Sequence, residues 1–361
     1  MFRRPMTRLA IAAVTAGTIC ALGAGAASAA PSATWSGPKG PVPGAITNDS
    51  AGISSIQFPV ADGLGTIVGW RPRGNSGPVY YKYKVAGLNK GKWSKLGRVP
   101  GADTSSAPAF GYYQDALTKW AVLAVWTGAH NQHIWYSQGE TLANGTIAWT
   151  KEATLPKNVA DTNTSNAPSV LFTDHAYRVI VSWRGPANHV RYAIGNPEGR
   201  GFAWSDSRIV PGAPVTTGCS GAPCTGATPA LAEVNTNATT GSIYFVWRQL
   251  GTKDVLYSTT ADTVTNLTSP VFSAPTQVPG AATLDSPAAS DTGLNGFGPL
   301  LLAYKAPYSG AVRYQTLTSG VWTAPGTVPG IRTTVAPALL LNELASTTSA
   351  ADGNIYLHYF S

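Results

Sequence analysis

The sequence predicts an all-β protein of the β-propeller class with six blades, and three observations carry that reading. An aromatic residue followed by Ser or Thr recurs six times, at Trp35-Ser36, Trp93-Ser94, Trp149-Thr150, Trp204-Ser205, Phe272-Ser273 and Trp322-Thr323. Six or seven residues further on comes Val-Pro-Gly or a variant of it, opening at Val42, Val99, Leu155, Val210, Val278 and Val328, so the repeats measure 57, 56, 55, 68 and 50 residues. The third observation is compositional: 39 Gly, 27 Pro and 11 Trp with only 12% charged residues suit short strands and tight turns. A period of this length marks a repeat architecture, because one such unit cannot bury its apolar face alone.

Four strands follow in order within each unit. After the Val-Pro-Gly turn and a polar loop, a small residue and Pro open strand A at Ala107-Pro108, Ala167-Pro168, Thr228-Pro229, Ser286-Pro287 and Ala336-Pro337. Strand B is a β-branched or apolar run ending on Trp70, Trp126, Trp183, Trp247 or Tyr304, with Tyr359 as the sixth counterpart. Strand C is an alternating run ending in Tyr83, Tyr136, Tyr192, Tyr257 or Tyr314, and the Trp-Ser element is strand D. The chain opens on a lone strand D at Trp35 and closes on strands A (Pro337 to Asn342) and B (Ile355 to Phe360). Pairing the N-terminal strand with this C-terminal blade closes the ring and removes its exposed edges.

Residues 1–29 read as a signal peptide: Arg3, Arg4 and Arg8, an apolar run from Leu9 to Leu22, then Ala27-Ser28-Ala29 as the cleavage site. Residues 30–361 then form a single propeller domain in a secreted, extracellular protein. Without the three arginines, 22 basic residues face 17 acidic ones, a net charge of +5. The cations are scattered with no Lys/Arg run, and no second apolar run is long enough to span a bilayer, which argues against nucleic-acid and membrane partners. Cys219 and Cys224 lie in the longest repeat and read as one short disulfide, as export permits.

A propeller places the B-to-C and D-to-A loops on one face. That face would gather the aromatic–cation pairs Trp70-Arg71, Trp183-Arg184, Trp247-Arg248 and Tyr304-Lys305, with Trp126-Thr127 as the exception. It would also gather polar loops containing Asn48-Asp49-Ser50, Asp103-Thr104-Ser105, Asn163-Thr164-Ser165, Thr225 and Thr228, Asp285-Ser286, and Thr333-Thr334. Aromatic faces cover the apolar side of a sugar ring, and Arg with short polar groups bonds hydroxyls or carboxylates, so a glycan or an acidic peptide is the expected ligand. The blander alternative is that the tryptophans fill the space between blades and the loops are ordinary turns.

Catalysis draws less from the sequence. Asp49, Asp103, Asp161 and Asp285 recur in the loops leading to strand A, as repetition alone would produce. The five histidines show only the weak His130-x-x-His133 spacing, and the Asp-box of bacterial sialidases is missing, so no enzyme, metal or cofactor is expected. The Trp-Ser, Val-Pro-Gly, Ala-Pro and Val-x-Trp-Arg repeat resembles secreted actinomycete β-propellers of the dispase-autolysis-inducing kind and, more broadly, lectin-like β-propellers. That resemblance implies seven blades where the repeats count six. It also implies a non-enzymatic protein acting on an extracellular metalloprotease and serving as a transglutaminase glutamine donor. Gln114, Gln132, Gln138 and Gln249 would then be cross-linking candidates on exposed loops. A glycan-binding propeller is the alternative, and a divergent glycoside hydrolase ranks last.

Overall fold

The strand-B sequences are mostly apolar, with β-branched, aliphatic and aromatic residues, as expected of a strand covered on both faces. The computed structural model bears this out: every described residue from Ala121 to Gly128 is buried, because each blade is sandwiched between two others. The structure describes residues 42–47, 49–60, 65–89, 92–114, 120–155, 164–173, 177–185, 188–198, 201–210, 227–235, 241–260, 267, 270–291, 298–342 and 354–358. The signal peptide, Trp35, Cys219 and Cys224 lie outside them.

Blade 1 is the antiparallel sheet β1–β4 (Gly52–Ile56, Gly65–Trp70, Gly77–Lys84, Gly97–Thr104). Blade 2 is β5–β9 (Ala109–Gln114, Trp120–Thr127, Ile134–Thr141, Ile147–Trp149, Ala153–Thr154). Blade 3 is β10–β14 (Ser169–Thr173, Arg178–Arg184, Val190–Glu198, Gly201–Trp204, Arg208–Ile209). Blade 4 is β15–β18 (Ala230–Asn235, Gly241–Arg248, Asp254–Thr259, Thr276–Ala282). Blade 5 is β19–β23 (Ala288–Asp291, Leu300–Lys305, Ala311–Thr318, Val321–Trp322, Gly326–Arg332), and blade 6 contributes β24 and β25 (Ala338–Asn342, Asn354–His358). A single helical turn, Ala86–Asn89, interrupts blade 1. The innermost strands touch in the cyclic order β1, β5, β10, β15, β19, β24 and back to β1. The propeller therefore has six blades, not the seven the resemblance implies.

The recurring dipeptide and tripeptide each have a physical role. After each of the five described strand-D aromatics, the Ser or Thr makes a reciprocal pair with strand C. Its N–H donates to Tyr83, Gln138, Ile194, Thr259 or Thr316 O at 2.7–2.9 Å. Its hydroxyl accepts the N–H of that same residue at 3.0–3.1 Å. Ser94, Thr150, Ser205, Ser273 and Thr323 thus satisfy backbone donors where the ladder is interrupted. Val-Pro-Gly was expected as a turn, but in blades 1, 4 and 5 it lies inside the outermost strand. There Gly101, Gly280 and Gly330 take φ of +71°, +69° and +71°, and the register with strand C shifts, as in a β-bulge. The strand-C tyrosines 136, 192, 257 and 314 sit near the start or middle of their strands, not the end.

The first residue of five of the tripeptides packs with the strand-B aromatic of the next blade. Val99 joins Trp126, Leu155 joins Trp183, Val210 joins Trp247 and Val278 joins Tyr304 in successive interblade cores. Val42 joins Trp70 in the same way. Residues 42–45, near the chain start, therefore supply the outer contact that precedes blade 1. Lys82 Nζ donates to Pro43 O at 2.7 Å, just as Gln315 Nε2 donates to Pro279 O at 2.9 Å.

Candidate functional site

The D-to-A and B-to-C loops do share a face, and backbone hydrogen bonds join them. Thr164, Thr283 and Thr333 N–H donate to Gln132, Lys253 and Gly310 O at 2.8–2.9 Å. Buried threonines shape the D-to-A loops: Thr47, Thr104, Thr164, Thr283 and Thr333 each accept, on Oγ1, the N–H two residues on at 3.0–3.2 Å. The polar loops are thus largely Ser/Thr turns whose hydroxyls are used internally.

Of the paired residues predicted for the site, the rings turn inward. Trp70, Trp183 and Trp247 are 1%, 0% and 4% exposed and belong to interblade cores, and Trp247 also borders a surface pocket. The cations divide into two kinds. Arg71 is buried, its Nε donating to Asp49 Oδ2 at 2.7 Å and its guanidinium also bonding Gly74 O. Lys305 Nζ lies 2.7 Å from Asp285 Oδ2, as an ion pair not aligned as a hydrogen bond, and donates to Thr334 O at 2.8 Å. In blade 2, Thr127 takes the cation's place and donates to Asn166 O at 2.5 Å, while Asp103 faces the exposed His130 at 3.5 Å. Arg184 and Arg248 instead converge on a pocket between blades 3 and 4, of about 30 Å³, with Asn188, Val190, Ala227, Trp247 and Leu250. Arg184 donates to Asn188 Oδ1. Burial and then the neighbouring Arg248 charge lower its pKa below the ordinary arginine value. Burial also lowers that of Arg248, whereas the Asp285 carboxylate raises it.

Two residues that sequence reasoning did not single out stand out on this face. Tyr308, in the B-to-C loop of blade 5, is 83% exposed with φ of +65°, and Lys253 Nζ sits 4.5 Å from its ring centroid. A non-glycine residue in the left-handed region with its ring held in solvent is a signal only the backbone reveals. A second opening, of about 150 Å³, is the central channel, ringed by the starts of all six inner strands: a small residue and Pro in five of them and Ser50-Ala51 in blade 1.

Among the described residues no three His, Cys, Asp or Glu side chains gather as a metal site. Asp49, Asp103 and Asp285 each face a cationic or titratable partner, and Asp161 lies outside the described residues. The glutamine expectation needs correction. Gln138 lies within β7 and is 5% exposed, and Gln114 ends β5, so neither is a loop residue. Gln249 is half-buried, and Gln132 is exposed in a loop with φ of +58°.

The sequence matches no protein-family model and no curated protein. Solved structures do match its fold. AofleA from Arthrobotrys oligospora superposes with a TM-score of 0.53 at 14% identity, over 84% of this chain and 77% of that one. The NanB sialidase of Streptococcus pneumoniae, as a K499G mutant, gives 0.51 at 10% identity over 85% of this chain, which spans only 64% of the enzyme. The six-bladed fungal lectin of Aleuria aurantia gives 0.48 at 9% identity, over 81% and 84% of the two chains. The class that the cyclic contact order of the inner strands defines is the six-bladed β-propeller, and the likenesses to AofleA and NanB agree with that fold.

Proposed function

We propose that this chain is a secreted, non-enzymatic β-propeller that binds carbohydrate on the face carrying the D-to-A and B-to-C loops. One observation carries the reading: the pocket between blades 3 and 4 sets an indole edge, Val190 and Leu250 against the donors Arg184, Arg248 and Asn188. Sugars present the same mixture, an apolar ring face and directional hydroxyls, and binding sites that hold them combine aromatic surface with a few placed donors. Tyr308 adds an exposed ring on the same face. The carboxylates of Asp49 and Asp285 serve Arg71 and Lys305, which favours binding over hydrolysis there, since a glycosidase needs two acids facing a sugar. Retention of the protein on a glycan array, competed by free sugar and weakened at least ten-fold by Tyr308→Ala or Arg184→Gln, is the expected result. Absence of any retained glycan would sink the reading.

A second reading rests on Gln132, which is exposed in a loop as a transglutaminase donor must be. On that reading the propeller acts on an extracellular metalloprotease and is cross-linked through this side chain. Labelling by dansyl-cadaverine that Gln132→Asn abolishes supports it; labelling elsewhere, together with an unaltered protease, opposes it.

A further inference from the structure

The net positive charge of residues 30–361 resides in blade 1. Residues 63–102, from strand B to the outer edge of that blade, hold eight of the 22 cations and none of the 17 acids, which leaves 14 cations against 17 acids elsewhere. No two of the eight are adjacent in sequence, so no Lys/Arg run marks them. Folding brings five of them together. In β3, Tyr80, Lys82 and Lys84 point to one side of the sheet, and Arg98 of β4 stands opposite Tyr80 and shares that side. Tyr80 packs with Val42 and Lys82 Nζ donates to Pro43 O, so this side turns toward residues 42–45, while Tyr81 on the other side meets Trp149 of blade 2. Lys92 and Lys95 lie in the segment that joins β3 to β4, and Lys84 ends β3 far from the B-to-C loop. Lys84, Lys92, Lys95 and Arg98 are exposed. Two acids do approach blade 1, Asp49 paired with Arg71 and Glu152 lying against Gly101. Among the described residues, neither these nor any other acid forms an ion pair with the four exposed cations.

An aromatic ring sits among the cations. Trp149, Trp204, Phe272 and Trp322 each meet a strand-C tyrosine of the preceding blade, Tyr81, Tyr136, Tyr192 or Tyr257, at 5.4–5.5 Å between centroids. Trp93, their counterpart in blade 1, is half-buried against the core of Val42 and Trp70, and among the described residues no ring stands across it. We infer that this outer edge of blade 1 binds an acidic polysaccharide, whose acid groups run along Lys84, Lys92, Lys95 and Arg98 with a sugar ring against Trp93. Residues two apart on a strand stand about 7 Å apart, so Lys84, Lys82 and the Tyr80–Arg98 pair form a row that a polymer can follow. Lysine suits such a ligand, because a point charge on a flexible stem meets acid groups spaced along a chain without the paired geometry that a single carboxylate asks of arginine. Each exposed contact is weak and screened by salt, so binding needs several at once, as a polymer supplies. The edge lies away from the D-to-A and B-to-C loops, and the inference stands or falls without the pocket between blades 3 and 4.

The test measures retention on immobilised dextran sulfate against dextran, and on polygalacturonate against its methyl ester, with single-stranded DNA, poly-glutamate and anionic vesicles as rival polyanions. The wild-type protein should be retained by at least one acidic polysaccharide at least ten-fold more than by its neutral partner, and released by salt of about 0.5 M. Joint Lys84→Gln, Lys92→Gln, Lys95→Gln and Arg98→Gln changes should lower that retention at least ten-fold at an unchanged melting temperature. Joint Arg73→Gln, Lys151→Gln, Arg313→Gln and Arg332→Gln changes remove the same charge from exposed sites elsewhere and should alter it less than two-fold. Equal loss in the two variants, or no loss in the first, overturns the assignment to blade 1. Equal retention on the acidic and neutral partners overturns the acidic ligand, and stronger retention on DNA, poly-glutamate or vesicles overturns the polysaccharide. The acidic-against-neutral comparison needs no variant, so it holds even if a substitution impairs folding. Retention on neutral glycans that Tyr308→Ala weakens and the blade 1 changes leave intact reports the loop face instead, so the two readings fail separately.

Discussion

Blade 5 solves the interblade core differently from its neighbours, and a double-mutant cycle can measure that difference. The strand-B aromatic is Trp in blades 1 to 4 but Tyr304 in blade 5, and the strand-C residue after the recurring tyrosine is Ser137, Ala193 or Ser258 in blades 2 to 4 but Gln315 in blade 5. The two changes fit each other. Tyr304 Oη donates to Gln315 Oε1 at 3.0 Å, and Gln315 Nε2 donates to Pro279 O at 2.9 Å and Thr323 O at 2.8 Å, with both residues fully buried. Ser137 and Ser258 make the corresponding bond to Thr150 O and Ser273 O at 2.8 Å. Tyr304→Trp alone forces an indole against Gln315 and orphans its Oε1. Overpacking at about 1–3 kcal/mol and an unmet buried acceptor at about 1–3 kcal/mol sum to about 3 kcal/mol. Gln315→Ser alone leaves the phenol and Pro279 O without partners, again about 3 kcal/mol. The double variant restores the Trp–Ser pairing of blades 2 and 4 and loses only the bond to Pro279 O, about 1 kcal/mol. The expected coupling is therefore favourable by several kcal/mol, of which measured cycles typically recover up to about 3. An unfolding entropy of roughly 0.7 kcal/mol/K for a chain of this length makes 3 kcal/mol worth about 4 °C. Calorimetric melts should show each single variant lowered by about 4 °C and the double by about 1–2 °C. Melting temperatures that simply add would refute the claim that the two residues were exchanged as a unit.

Two further outcomes follow from the same geometry. Asp49→Ala strands the Arg71 charge, whose side chain is 6% exposed, and should lower stability by about 3 kcal/mol, against less for Asp285→Ala beside the more exposed Lys305; equal losses in thermal melts would contradict this. Burial raises the pKa of Tyr81, Tyr192, Tyr244 and Tyr304, the last to about 12, so unfolded phenols ionise near pH 10 while folded ones keep their protons. Stability should thus be full below pH 10 and fall as pH rises from 10 to 12, with a shallower fall in Tyr304→Phe, which urea titrations at stepped pH can check.

The architecture was legible because a repeat multiplies weak signals. One Trp-Ser dipeptide says little, whereas six at a near-constant spacing specify the strand-D hydroxyl that Ser94, Thr150, Ser205, Ser273 and Thr323 use in the same reciprocal pair. Val-Pro-Gly was misassigned to a turn because Pro and Gly are the commonest turn residues. Here the glycine's positive φ forms a bulge that turns the edge of an otherwise continuous strand. The side of the rings was not legible either. Trp70-Arg71 and Trp247-Arg248 look alike in sequence, but strand alternation sends each ring into an interblade core and leaves the following side chain to face the loops.

The candidate site was half legible, for a reason that belongs to repeats in general. Arg184 and Arg248 were found by recurrence, the same signal that found Arg71 and Lys305, so recurrence cannot separate a cation that holds the fold from one that holds a ligand. What separates them is the setting: Asp49 and Asp285 answer Arg71 and Lys305 from the loop, whereas Arg184 and Arg248 line a pocket between blades 3 and 4. Each interblade core is built separately, so a loss at one seam leaves the others intact. A seam between two blades can therefore carry a pocket such as the one lined by Arg184 and Arg248 without loss of the cores beside it.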